Sequence, residues 1–169
     1  MDIKALLPVL LPRAIDWCER VSAEAASTGA PLKATALSDA QLVGVARPER
    51  IRVLVVDAIP TPDDRLLATA AASIGFLGAA TAGLALGYSI FVRRGRLSRR
   101  LLSHECRHVA QFENEGSLAE FLTTYLNEIV RVGYEDCSFE VDARNHELPN
   151  ADLTWRPISG SNTTECGGR

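Results

Sequence analysis

His104 and His108 lie four positions apart in the run Leu101-Leu102-Ser103-His104-Glu105-Cys106-Arg107-His108. On an α-helix this spacing puts both side chains on one face about one turn apart, so two ring nitrogens can reach a single metal ion. Glu105 follows the first histidine and leans towards the open side of such an ion, where a carboxylate can take a proton from zinc-bound water and pass it to a leaving group. Residue types and spacing together are those of H-E-x-x-H chemistry, a metal-dependent hydrolysis with Zn2+ as the expected cofactor. A surface helix holding two histidines by coincidence is the plainer alternative. The chain has only three histidines, however, and two of them stand at ligand spacing.

A catalytic zinc needs a third protein ligand and a position left open for water. Glu140 is the choice, since a helix following the one after His108 can fold back and present its carboxylate to the histidines. Asp142 is the runner-up, close by and acidic, whereas Glu113, Glu135 and Asp136 read as solvated charges. Cys106 points off the metal face and reads as a packed small side chain. Arg107 reads as solvated, and His146 as an exposed helix-end residue rather than an oxyanion donor.

The metal residues need a helix, and its signals are local. Ser98 can cap a helix over Arg99 to Glu115 that Gly116 closes. Ser117-Leu118-Ala119-Glu120 matches a capping box and opens a second helix, whose Leu118, Phe121, Leu122, Tyr125, Leu126, Ile129 and Val130 form an apolar stripe ended by Gly133. Ser138 caps a third, shorter helix carrying Glu140 before Pro149. Upstream, Leu11 to Ala26 suits an amphipathic helix ended at Thr28-Gly29-Ala30-Pro31. Between Pro31 and Arg50 a short helical start at Ser38 is the one assignment made. Ile51 to Ile59 is rich in β-branched residues and stops at Pro60, as a buried strand does.

An uncharged stretch from Leu66 to Val92, followed by Arg93, Arg94, Arg96, Arg99 and Arg100, has the length of a membrane span. Gly75, Gly78, Gly83 and Gly87 break it. The preferred reading is a helix over Asp64 to Ile74, a Gly-rich turn, and one strand over Leu84 to Val92.

At 169 residues the length suits one domain, assigned to 1–149, with 150–169 as a loose C-terminal tail. The 18 Lys plus Arg against 21 Asp plus Glu, net −3, give no overall pull towards nucleic acid. An apolar fraction of 47% requires a packed core. Four scattered cysteines without a C-x-x-C pair, and no export signal at the amino terminus, suit a reducing, cytoplasmic setting. Asn162-Thr163-Thr164 is therefore read as a chance glycosylation match.

The segments Thr81 to Val92, Leu101 to Gln111 and Phe139-Glu140-Val141-Asp142-Ala143-Arg144 together resemble the zincin metallopeptidases, and among them small gluzincin-like domains of bacterial proteins. The resemblance implies an α+β fold, a minimal zincin-like domain with a small sheet packed on the metal-binding helix. It implies that His104, His108 and Glu140 bind zinc, and that Leu86 to Val92 edges the cleft and pairs with a peptide or protein substrate, with Tyr88 able to face it. Where many relatives place an acidic residue that steadies a metal-bound histidine, this chain has Arg144; Asp142 or Asp57 are the candidates to substitute. The leading expectation is a zinc metallopeptidase in which Glu105 activates water. The alternatives are a catalytically inactive zincin-like binding domain and a protein anchored in a membrane through 66–92.

Overall fold

The computed structural model describes residues 1–150. The expected tail lies outside the described residues apart from Asn150, as does Asn162. In chain order the elements are helix α1 (Ile3–Thr28), strand β1 (Ala30–Pro31), helix α2 (Ala34–Leu42), a short 3-10 turn (Pro48–Arg50), strand β2 (Arg52–Val56), helix α3 (Arg65–Ser73), strands β3 (Gly83–Leu86) and β4 (Ser89–Arg93), and helices α4 (Arg99–Glu115), α5 (Leu118–Val132) and α6 (Ser138–Asn145). The α+β class expected from the sequence is the one observed.

The helix starts follow from capping. Asp64 accepts from the amides of Leu66 and Leu67, Ser98 from Leu101, and Ser117 from Glu120, each satisfying donors that a helix leaves open at its first turn. α1 begins earlier than its periodicity suggested, at Ile3, and runs through Pro8 and Pro12. Each proline removes one helical hydrogen bond. Against that loss, Asp2 caps the amide of Ala5, and Ile3, Leu6, Leu7, Leu10 and Leu11 all pack onto the core.

The sheet has the order β1-β2-β4-β3, with β2 parallel to β4 and the outer pairs antiparallel. The single strand expected over Leu84 to Val92 is a hairpin. Gly87 opens its two-residue turn at φ +59°, a conformation that a Cβ disfavours. Successive residues face opposite sides of the sheet. Leu84, Leu86 and Phe91 join the core beneath α1, α3 and α5, while Ile90 and Val92 join Val53 and the inner faces of α2 and α4. β4 is thus covered on both faces, which explains its uninterrupted apolar run. β3 remains at the sheet edge, and α4 packs against it, against α5 and against α6.

The stretch 66–92 forms no single spanning helix, being divided among α3, a turn and two strands. Among the described residues no helix is long and apolar enough to cross a membrane.

Candidate metal centre

α4 presents His104 and His108 side by side, with their Nε2 atoms 3.2 Å apart. α6 delivers Glu140 to the same point: its Oε2 lies 3.5 Å from Nε2 of His104 and its Oε1 3.3 Å from Nε2 of His108. Among the described residues this is the one grouping of His, Cys, Asp or Glu side chains close enough to share an ion. A tetrahedral zinc with ligands about 2.0–2.1 Å away has ligand-to-ligand edges of about 3.3 Å. The N···N distance and the two N···O distances, the latter to different oxygens of one carboxylate, are close to that length, and one ligand atom from each residue lies within 4.8 Å of the others.

Proton positions make the same point. The Gln111 amide nitrogen donates to the carbonyl of Phe139 at 2.9 Å and to Asp142 at 2.7 Å, so its oxygen is the end that meets Nδ1 of His108, at 2.8 Å. Nδ1 of His108 is therefore the donor. Nδ1 of His104 faces a carboxylate oxygen of Glu147 at 3.2 Å and donates to it. With a proton on Nδ1 of each ring, Nε2 is the nitrogen turned inward, and it offers a lone pair to a cation placed there. The third group facing them is a carboxylate, and its Oε2 is buried without a hydrogen-bond donor. Three acceptors pointed at one another repel unless a cation lies among them, so the residues fit a metal ion by charge as well as by distance.

Burial alone would raise the Glu140 carboxyl. Without a metal, hydrogen bonds from the rings of His104 and His108, the charge of a protonated His108 and the hydroxyl of Tyr125 outweigh burial and hold it far below the usual carboxylate range, a ring proton standing where a metal cation would lie. Tyr125 donates to Oε1 of Glu140 at 2.6 Å from within the otherwise apolar stripe of α5. Glu105 behaves in the opposite sense. It is 4% exposed, and burial pushes its carboxyl up to about 7, with His108 opposing and the charge of Glu140 adding to the rise. Its carboxylate rests against Gly83 of β3, where a Cβ would overlap it. Glu105, His104, His108, Glu140, Gly83 and Tyr134 line one cavity of about 40 Å³.

Several expectations change. Asp142, the runner-up ligand, points away from the trio and is taken up by Arg107 at 2.6 Å, by Gln111 and by His146. Arg107 is accordingly not solvated: it holds Asp142 through two nitrogens and also donates to the carbonyl of Val43. Asp57 pairs with Arg94 on the surface and steadies no histidine. The edge strand at the centre is β3, whereas most of the expected edge, Leu86 to Val92, is the interior strand β4. Tyr88 is turned from the cavity, donating to Glu113 and lying under Arg50. Cys106 packs in the core as expected, and its burial raises the thiol. His146 ends α6, with Nδ1 2.8 Å from the carbonyl of Asp142.

Gln111, Tyr125, Gly83 and Glu147 were not foreseen. Gln111 carried a signal, since it follows His108 by three and shares its helix face. A lone hydroxyl in an apolar stripe was the corresponding sign for Tyr125. Comparison with protein-family models, with curated proteins and with solved structures finds no match in any of the three.

Proposed function

We propose that this chain is a zinc-dependent hydrolase of the zincin type, a metallopeptidase in which Glu105 is the proton shuttle. The observation that carries the reading is the convergence of His104, His108 and Glu140 within reach of one ion, beside a buried carboxyl pushed up to about 7. His104, His108 and Glu140 would hold the metal. Zinc in such a place lowers the pKa of water and polarises a carbonyl. A carboxyl titrating near neutrality is suited both to accept a proton and to return it to a leaving amine. Burial pushes Glu105 up to about 7 without the metal, and a bound dication would draw it back down from there.

β3 supports a peptide as the substrate. The amide of Arg93 donates to the carbonyl of Ala82 at 2.9 Å, and in an antiparallel ladder bonded pairs alternate with unbonded ones. Gly83 and Ala85 therefore turn their backbone amides and carbonyls away from β4, to the free edge beside Glu105. An extended peptide can add there as a strand. A reducing, cytoplasmic setting suits the three free cysteines among the described residues, Cys18, Cys106 and Cys137, all buried.

A non-catalytic metal domain is the second reading, and the small cavity favours it. About 40 Å³ admits water, whereas ligand clefts run to roughly 300 Å³ and more. Metal analysis separates the readings when combined with a peptide-cleavage assay. The hydrolase should carry close to one zinc per chain, lose it in His104→Ala, and lose turnover but not zinc in Glu105→Gln. Zinc without turnover dependent on Glu105 would establish the second reading. Wild-type protein free of zinc after metal-supplemented expression would overturn both.

A further inference from the structure

The two histidines are braced from behind in different ways. His108 is held from its own helix through Gln111, which Asp142 and Arg107 fix in turn. His104 is held from outside. Its partner Glu147 belongs to no helix; it follows α6, in a segment laid across the first turns of α4. Three contacts fasten that segment. Glu147 also accepts from Arg100, the amide of Leu148 donates to Ser103 Oγ at 2.8 Å, and the amide of Arg100 donates to Asn150 Oδ1 at 3.0 Å. Arg144, four residues after Glu140, cannot take this part, being a cation that faces Glu135 and Glu140.

Resting on the metal-site reading above, we propose that Glu147 is the positioning residue for His104 and through that one contact sets how tightly the centre holds its metal. The carboxylate accepts the Nδ1 proton, which fixes the tautomer, points Nε2 at Glu140 and His108, and increases the basicity of the ring. Arg100 holds the Glu147 carboxylate in place from its other side and tempers its charge. The effect runs through His104; Glu147 is not among the residues lining the cavity.

The test uses the full chain and zinc itself, with affinity read by competition against a chromophoric chelator. Glu147→Ala should weaken zinc by about 10- to 100-fold, the usual cost of losing such an outer partner, and should shift the visible bands of the cobalt-substituted protein. Glu147→Gln keeps an acceptor without the charge and should lose less. Asn150→Ala loosens the segment Glu147–Asn150 without touching His104 and should stay within about twofold of wild type, well short of the loss expected for an outer partner. Glu147→Ala equal to wild type, or Asn150→Ala as damaging as Glu147→Ala, would overturn the assignment. If Glu147→Ala does not fold, Glu147→Gln and nitrogen-resolved imidazole spectra of the zinc-loaded wild type decide it, and metal on Nδ1 of His104 would refute it. Zinc binding by wild type, absent in His104→Ala and intact in Glu147→Ala, would sink this inference while leaving the metal site standing. Absence of zinc from the wild type would remove both.

Discussion

The carboxylate of Glu105 lies in the space that a Cβ on Gly83 would fill. Gly83 has no positive φ and no turn to make, so conformational freedom does not account for a glycine there. Room does. The edge strand comes close enough to bring its backbone beside Glu105, and the missing side chain leaves the carboxylate its place. Gly83→Ala should therefore displace Glu105 while leaving the zinc ligands alone. Peptide cleavage should fall about 100-fold, the scale of a misplaced catalytic group, with zinc content unchanged. Overpacking should cost about 1–3 kcal/mol in denaturant unfolding. A Gly83→Ala protein as active as wild type would show that Glu105 needs no such space.

Glu105 also makes a prediction about the metal-free protein. Its folded pKa, about 7, is above the ordinary carboxyl value of 4.5. A raised carboxyl leaves stability intact below 4.5 and withdraws it as pH rises through 7, because the folded state resists ionisation. Gln resembles the protonated acid and should escape that loss. With chelator present, Glu105→Gln should match wild type near pH 4.5 and exceed it at pH 8, by up to about 3 kcal/mol at 1.36 kcal/mol per unit. Urea unfolding at the two pH values gives the answer, and a constant difference between the proteins would refute the raised pKa.

Tyr125→Phe separates the support of Glu140 from the shape of the core. The hydroxyl donates to a carboxylate that is only 1% exposed, and the ring stacks on Phe121 and meets Phe139 edge-on. Phe keeps the ring contacts and deletes the donor. Stability without metal should fall by about 1–3 kcal/mol, the penalty for leaving a buried acceptor unsatisfied. Adding zinc should recover part of that loss, since the ion satisfies the same carboxylate. An equal deficit with and without zinc would show that the hydroxyl serves the core alone.

How far these residues were legible in the sequence depended on how local their signals are. Ser98 with Gly116 and Ser117 with Gly133 bracket α4 and α5 as their cap chemistry indicates. His104, His108 and Glu140 were identifiable by residue type and spacing, and the structure brings all three together. The hairpin was hidden because β4 is buried on both faces, so apolar residues run on through Gly87-Tyr88 with no alternation to mark the turn. The start of α1 was hidden by Pro8 and Pro12, whose local cost is outweighed by contacts with distant elements. Arg107 and Asp142 meet only after α6 has docked on α4, as do Glu147 and His104. No spacing rule spans such a contact.

Metal removal gives the broadest test. With neither a metal nor a proton among them, Nε2 of His104 and Nε2 of His108, 3.2 Å apart, and the Glu140 carboxylate alongside would repel one another. The metal-free protein can relieve that repulsion only by taking up a proton or by parting α4 from α6. On the proposed function zinc would bind the folded arrangement and not the unfolded chain, so at a thousandfold excess over its dissociation constant it would add about 4 kcal/mol. For a domain of this size each kcal/mol raises the melting temperature by roughly 2–4 °C. Thermal unfolding with chelator and then with zinc should therefore differ by about 8–16 °C, and His104→Ala should show almost none of that difference. Hydrogen exchange locates the effect, because the amides of α6 should gain the most protection from zinc. An equal response of wild type and His104→Ala would mean that zinc acts elsewhere on the chain and that the three acceptors do not hold it.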